Sequence, residues 1–348
     1  MNEPEKTVSQ PLTGGYCPCR HNFVVFARKI WEDNMVKQMK QLVLAVLLLT
    51  LSFAAAYGQA EPILTQYMFN MQPINPAYAG MWEKIGFSTL IRKQWTGIDR
   101  SPLTQVVSFH SPTRNPNVGL GLNITNDRYA LENKLGIFGD YAYEIALTPQ
   151  TRLRLGLKFG FLNYKNPLTQ YQLYPDGEYD PAFGADVDLK FMPNFGVGGF
   201  LYDENYYVGL SVPKMIRNEY SANINNYNLE AQIQTVYLSA GYVFRFIQMN
   251  YLVFKPTMMI TYNRGLPVQY DFSVNWMLRE TVWLGLMVRS GNALSFVSQW
   301  IMDNNLRLGF AVDLTYNEIF PYQYGTYEVT LGFDMDFFGR SYIREKYF

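Results

Sequence analysis

His110 is the first place to look for chemistry. It stands in Ser108-Phe109-His110-Ser111, and the only other histidine of the chain is His21. A serine activated by a histidine is the minimum for nucleophilic catalysis. Neither serine sits in a sharp nucleophile elbow, and a polar histidine at a strand end is the plainer reading. A second candidate is the carboxylate set Asp176, Glu178, Asp180, Asp186 and Asp188, dense enough to hold Ca²⁺. It lacks the spacing and turn glycine of an EF-hand, since Gly177 falls between the first two acids, so it reads as a solvated acidic loop. Cys17-Pro18-Cys19 brings two thiols too close for the usual metal-ligand spacing, and His21 adds little. Arg92 and Lys93 beside Trp95 have the make-up to hold a partner or a lipid phosphate, although snorkelling at a membrane interface accounts for them more simply. These residues point to no catalytic centre, no metal and no cofactor.

The elements that position them are strands. In Thr326 to Phe338, the residues Tyr327, Val329, Leu331, Phe333, Met335 and Phe337 alternate with Glu328, Thr330, Gly332, Asp334 and Asp336. Successive side chains of a strand point to opposite faces, so all the apolar ones share a face. Similar runs recur from about Lys84, and fourteen are legible. The clearest are about 117–125, 134–147, 151–164, 268–277 and 306–314. Their polar faces carry Glu144, Arg154, Lys158, Asp271, Arg307 and Asp313 among small residues. A soluble sandwich with an apolar core and a membrane barrel with a polar lumen both use such strands. Loop parity separates them. Connections after even-numbered strands are short, whereas the long ones, 165–193 and 213–235, follow odd-numbered strands. That asymmetry is the mark of an outer-membrane barrel with periplasmic termini. The expected fold is an all-β, transmembrane antiparallel β-barrel of about 14 strands with an irregular N-terminal arm. Tyr143, Tyr164, Tyr202, Tyr206, Trp276, Trp300 and Tyr316 fall at strand ends, where aromatic girdles belong.

Composition agrees. Aromatics reach 16%, with 27 tyrosines, a surplus suited to interfaces where a ring is apolar at one end and wet at the other. Net charge is zero, which gives no electrostatic footprint for nucleic acid. Lys37 and Lys40 precede an apolar run, Leu42 to Ala56, that ends in small residues before Gln59; this describes a secretory signal peptide. It is too short for a spanning helix, which needs about 20 apolar residues. The expected organisation is a mis-annotated extension at 1–34, the signal peptide at 35–58, and a periplasmic or lumen-facing arm at 59–83. The outer-membrane barrel follows at 84–338 and a short tail at 339–348. Both cysteines lie ahead of the cleavage point. The destination is the outer membrane of a Gram-negative bacterium, with outer-membrane lipid against the apolar faces.

Several runs carry a resemblance. Thr65-Gln66-Tyr67-Met68-Phe69-Asn70 followed by Ile74-Asn75-Pro76-Ala77-Tyr78-Ala79-Gly80 opens the mature chain. Arg92-Lys93-Gln94-Trp95-Thr96-Gly97, Asp180-Pro181-Ala182-Phe183, 192–198 and 207–213 follow. Together these resemble the PorP/SprF family, outer-membrane proteins of the type IX secretion and gliding system. The resemblance implies a non-catalytic barrel that supports secretion or cell-surface attachment of large proteins such as adhesins, working with type IX secretion components. The alternative is an outer-membrane channel for small or hydrophobic solutes. Tyr67, Phe69 and Tyr78 are apolar yet lie outside the strand pattern, so the arm either plugs the lumen or docks a periplasmic partner. The partner-binding candidates are Tyr67, Phe69, Asn75, Pro76, Tyr78, Arg92 and Trp95.

Overall fold

The computed structural model describes residues 64–82, 84–171, 183–217, 219–221, 228–231, 234–245, 252–290, 293–302 and 305–337. The expected extension, the signal peptide, the tail, and Asp176, Glu178 and Asp180 of the acidic loop lie outside them. The strands begin with β1 (Ile85–Lys93), β2 (Leu103–Pro112), β3 (Val118–Tyr129), β4 (Glu132–Ala146) and β5 (Arg152–Asn166). Then come β6 (Val187–Tyr202), β7 (Tyr206–Val212), β8 (Glu219–Ser221), β9 (Asn228–Ala231), β10 (Thr235–Tyr242) and β11 (Phe244–Arg245). The last are β12 (Leu252–Asn263), β13 (Gln269–Leu278), β14 (Val282–Arg289), β15 (Ala293–Met302), β16 (Leu306–Thr315) and β17 (Thr326–Met335).

Among the described residues, each barrel strand pairs antiparallel with its neighbours. The sheet closes where β1 meets β17, with Ile91 opposite Val329 and Arg92 opposite Glu328. A β10–β12 pairing completes the ring of fourteen strands. β8 and β9 form a separate hairpin. β11 is an additional short strand on β12. It is cut off from β10 opposite Pro256, which has no N–H to give the ladder. No described helix is long and apolar enough to cross a membrane; the membrane is crossed by strands.

The wall is inside-out relative to a soluble protein. On β17 the odd residues Tyr327, Val329, Leu331, Phe333 and Met335 are exposed, while Glu328 and Asp334 are buried. Phe87 and Ile91, Leu155 and Phe159, Phe272, Phe296 and Phe310 continue the apolar outer belt round the ring. The two longest connections, 167–186 and 213–234, lie at the same end of the barrel. At the opposite end the turns are short, among them 113–117, 147–151, 203–205 and 279–281.

Two local expectations change. β6 starts at Val187, inside the stretch read from sequence as loop. The alternation slips there because a bulge sets Leu162 against Met192 but Tyr164 against Leu189, and Phe191 takes a positive φ of 54°. Tyr164 and Tyr202 are not girdle residues. Both are buried, because they share the face of Lys158 and Phe200, which points into the lumen. Tyr143, Trp300 and Tyr316 do lie exposed on the outer side.

Candidate functional site

The site is the lumen, and it is occupied by the chain's own residues 64–82. Here the prolines and the absence of period matter, because a segment surrounded by wall on every side needs neither a helix face nor a strand face. Two short 3₁₀ turns shape it, Tyr67–Phe69 and Pro76–Tyr78. Asn75 caps the second, its side chain accepting from the Ala77 N–H at 3.0 Å, with Pro76 at the first position, where a missing N–H costs nothing. Gly80 then turns the chain with φ 68°.

The wall supplies partners at each level. At the long-loop end, Glu328 accepts from the backbone N–H of Thr65 at 2.6 Å and of Gln66 at 3.0 Å. The Thr65 hydroxyl donates to Asp313 at 2.8 Å. Arg92 ties the same group together, bonding Asp313 at 2.8 Å, Glu328 and the Thr65 hydroxyl. Arg289 lies 3.9 Å from Asp313 and makes a two-pronged pair with Asp271 at 3.0 and 3.1 Å. Halfway down, Gln72 donates to the Phe109 carbonyl and to Asp140, which is paired with Lys158 at 2.7 Å. Farther on, Asn75 donates to the Gly199 carbonyl and Ser211 to the Ile74 carbonyl. At the short-turn end, Arg154 donates to the carbonyls of Ala77 and Ala79 and pairs with Glu144.

Apolar packing fills between these bonds. Tyr78 sits edge-on to Trp82 and Phe200, and its hydroxyl accepts from the Trp82 indole at 2.8 Å. Tyr67 and Met68 pack with Tyr237, Met259 and Met287. Two wall glycines make the close approach possible. A Cβ on Gly156 would meet the Ala77 nitrogen at 2.1 Å, and one on Gly198 would meet the Asn75 carbonyl oxygen of the side chain at 2.1 Å.

The seven candidates from sequence divide by depth. Tyr67, Asn75, Pro76, Tyr78 and Arg92 are buried, with their contacts to this chain's own residues. Phe69 is partly buried against Trp283, and Trp95 is partly buried in the β1–β2 loop. Arg92 does not snorkel to an interface. It lies on the face opposite Phe87 and Ile91, and so points inward. His110 is buried against Trp82, ring centroids 5.3 Å apart. Asp186 binds Thr169 and Asp188 pairs with Lys190 at 3.4 Å. Among the described residues no three acidic, His or Cys groups come together as a metal site. Sequence reasoning set Glu328, Asp313, Arg154 and Asp140 on polar strand faces but did not name them as partners of the arm; their signal was a charge on the inward face of an otherwise membrane-like strand.

Residues 56–333 match the family model described as "Type IX secretion system membrane protein PorP/SprF". No curated protein matches the sequence. Among solved structures, the outer membrane protein Omp33 of Acinetobacter baumannii is similar at 8% identity and TM-score 0.43, over 73% of this chain and 98% of that one. The toluene transporter TodX of Pseudomonas putida aligns at 9% identity and TM-score 0.43, over 82% and 95%. BamA from Haemophilus ducreyi, lacking POTRA domains 1–3, aligns at 9% identity and TM-score 0.36, over 72% and 70%.

Proposed function

We propose, from the premise that this chain belongs to the PorP/SprF family of type IX secretion system membrane proteins, that it is a non-catalytic scaffold of the outer membrane. It supports the secretion or surface attachment of large proteins such as adhesins. The apolar outer belt seats it in lipid, and the long connections face the cell exterior, as in other outer-membrane barrels. The chain reaches that membrane behind a cleaved signal peptide.

The observation that carries this reading is the occupied lumen. Thr65, Gln72, Asn75 and Ala77 are each bonded to the wall, at successive levels and on different sides. A solute channel needs a continuous polar path, and the arm stands across it. The useful surface of a filled barrel is its rim, which suits holding a large protein outside the cell.

The test is deletion of the gene, with adhesin display and solute uptake measured in parallel. Loss of display with normal uptake supports the scaffold. Normal display with loss of uptake of a solute favours the channel. Single-channel recording adds a direct reading, since the purified barrel should be nearly silent, and steady conductance would sink the filled-lumen account.

A further inference from the structure

Tyr322 and Tyr324 are the most exposed large apolar side chains among the described residues, at 74% and 78%, against 52% for Val329 in the apolar belt. Both stand at the long-loop rim, in the connection 316–325 between β16 and β17, where Phe320 is exposed as well. The connection is not a loose loop. Phe320–Tyr322 forms a 3₁₀ turn. The Tyr324 N–H donates to the Thr96 carbonyl at 2.7 Å, and the Thr96 N–H donates to the Gly325 carbonyl at 2.9 Å. These two bonds fasten the connection to the β1–β2 loop across the closing seam. The Tyr324 ring lies on Gly97, whose φ is 103° and where a Cβ would fall 2.7 Å from it. The Gln323 side chain accepts from the Gly325 N–H at 2.6 Å, and the Tyr327 hydroxyl donates to the Tyr324 carbonyl at 3.0 Å. A segment held this firmly with its rings turned out presents an apolar surface of fixed shape, and such surfaces mark contact with lipid or with another protein.

We propose that 316–325 is a membrane-surface anchor, its rings lodged in the headgroup layer of the outer leaflet beside the seam. Continuity with the apolar belt selects lipid as the occupant. At one root of the connection, Leu314 and Tyr316 prolong the outward row of β16; at the other, Tyr327 begins the outward row of β17, and all three are exposed. The side chains suit that layer, because a tyrosine ring is apolar in its body and wet at its tip. The only charged residue of the connection is Glu318, so seating it strips water from few charges. The anchor rests on the proposed seat of the belt in lipid. Its consequence is a division of the rim. The arc above the seam is committed to the membrane, and a large protein held at the surface is received by the remaining arc.

The experiment uses single cysteines in the full chain with Cys17→Ser and Cys19→Ser, labelled with an environment-sensitive fluorophore and reconstituted in phosphatidylcholine vesicles. Phe320→Cys and Tyr322→Cys report the connection. Val329→Cys reports the belt, and Arg264→Cys an exposed turn of the same rim. Two quenchers are compared: aqueous iodide, and a phospholipid carrying a nitroxide close to its headgroup. Emission from Phe320→Cys and Tyr322→Cys should be lost to the nitroxide lipid and resist iodide, while Arg264→Cys is lost to iodide. If both reporters respond to iodide as Arg264→Cys does, and Val329→Cys is still quenched by the lipid, the anchor is overturned and the seat of the belt stands; the ridge is then a surface for a protein partner. Quenching of Val329→Cys by iodide alone overturns the seat of the belt, and the anchor with it.

Discussion

Gly156 lies directly beneath Ala77, so close that a Cβ on the glycine would fall 2.1 Å from the alanine's backbone nitrogen. The obstacle is backbone, which cannot swing aside as a side-chain tip can. Gly156→Val should therefore lift the arm from its seat while the outward face of β5 is untouched. The expected outcome is a barrel that still shows heat-modifiable migration in SDS gels but conducts in planar bilayers. A silent variant whose arm is as resistant to protease as the parent's would refute the close packing.

Arg92 compensates two buried carboxylates, Asp313 and Glu328. Removing one member of a buried ionic group leaves charges unpaired, at a cost of about 3–5 kcal/mol. Arg92→Met should lower the denaturant midpoint of the folded barrel accordingly. Adding Asp313→Asn and Glu328→Gln should recover most of the loss, because the repulsion goes with the charges. If the triple variant is no more stable than the single one, the guanidinium acts by something other than charge.

Tyr67 and Phe69 give the arm much of its apolar contact, with Met287 and Trp283 among their neighbours. Replacing a buried aromatic with a small residue typically costs about 3–5 kcal/mol. Tyr67→Ser with Phe69→Ser should loosen the arm in an assembled barrel and reduce adhesin display at the cell surface. Normal display from a well-assembled double variant would separate the arm from the proposed function.

Asp186 accepts from the Thr169 hydroxyl at 2.7 Å and from its N–H at 3.0 Å. These bonds favour the carboxylate and hold its pKa below the usual aspartate range. The staple is thus present at neutral pH and is lost as pH falls through that lowered value. Amide exchange at Thr169, corrected for its intrinsic pH dependence, should quicken only in that acid range. Asp186→Asn should remove the pH step; a step that persists in that variant would locate the titrating group elsewhere.

The strands were legible because the outer face of a membrane barrel is the most monotonous surface a protein makes. Each of Tyr327, Val329, Leu331 and Phe333 answers to the same solvent, so period two survives with little interruption. The inner face answers to a particular partner, and local pattern does not name it. Tyr164 and Tyr202 read as girdle residues because a ring near a strand end is ambiguous until its parity is traced to Lys158 and Phe200. Arg92 read as an interfacial cation for the same reason. The arm could be recognised as aperiodic and aromatic, but its seat depends on residues as far away as Glu328, 263 positions from Thr65. Nothing in a window of ten residues encodes that distance.

The seam between β1 and β17 brings Arg92 and Glu328 into register, and Thr65 binds both. That pocket has no existence in a half-built chain, since its parts are contributed by the first and the last strands. The arm, which precedes the first strand, therefore waits for the last strand before it can settle. Such long-range pairing bears its loop-closure entropy before the contacts repay it, which makes folding slow and sensitive to help from other factors. Seating of the arm can serve as a clock for maturation: protection of Thr65 and Gln66 marks the moment when the ring has shut.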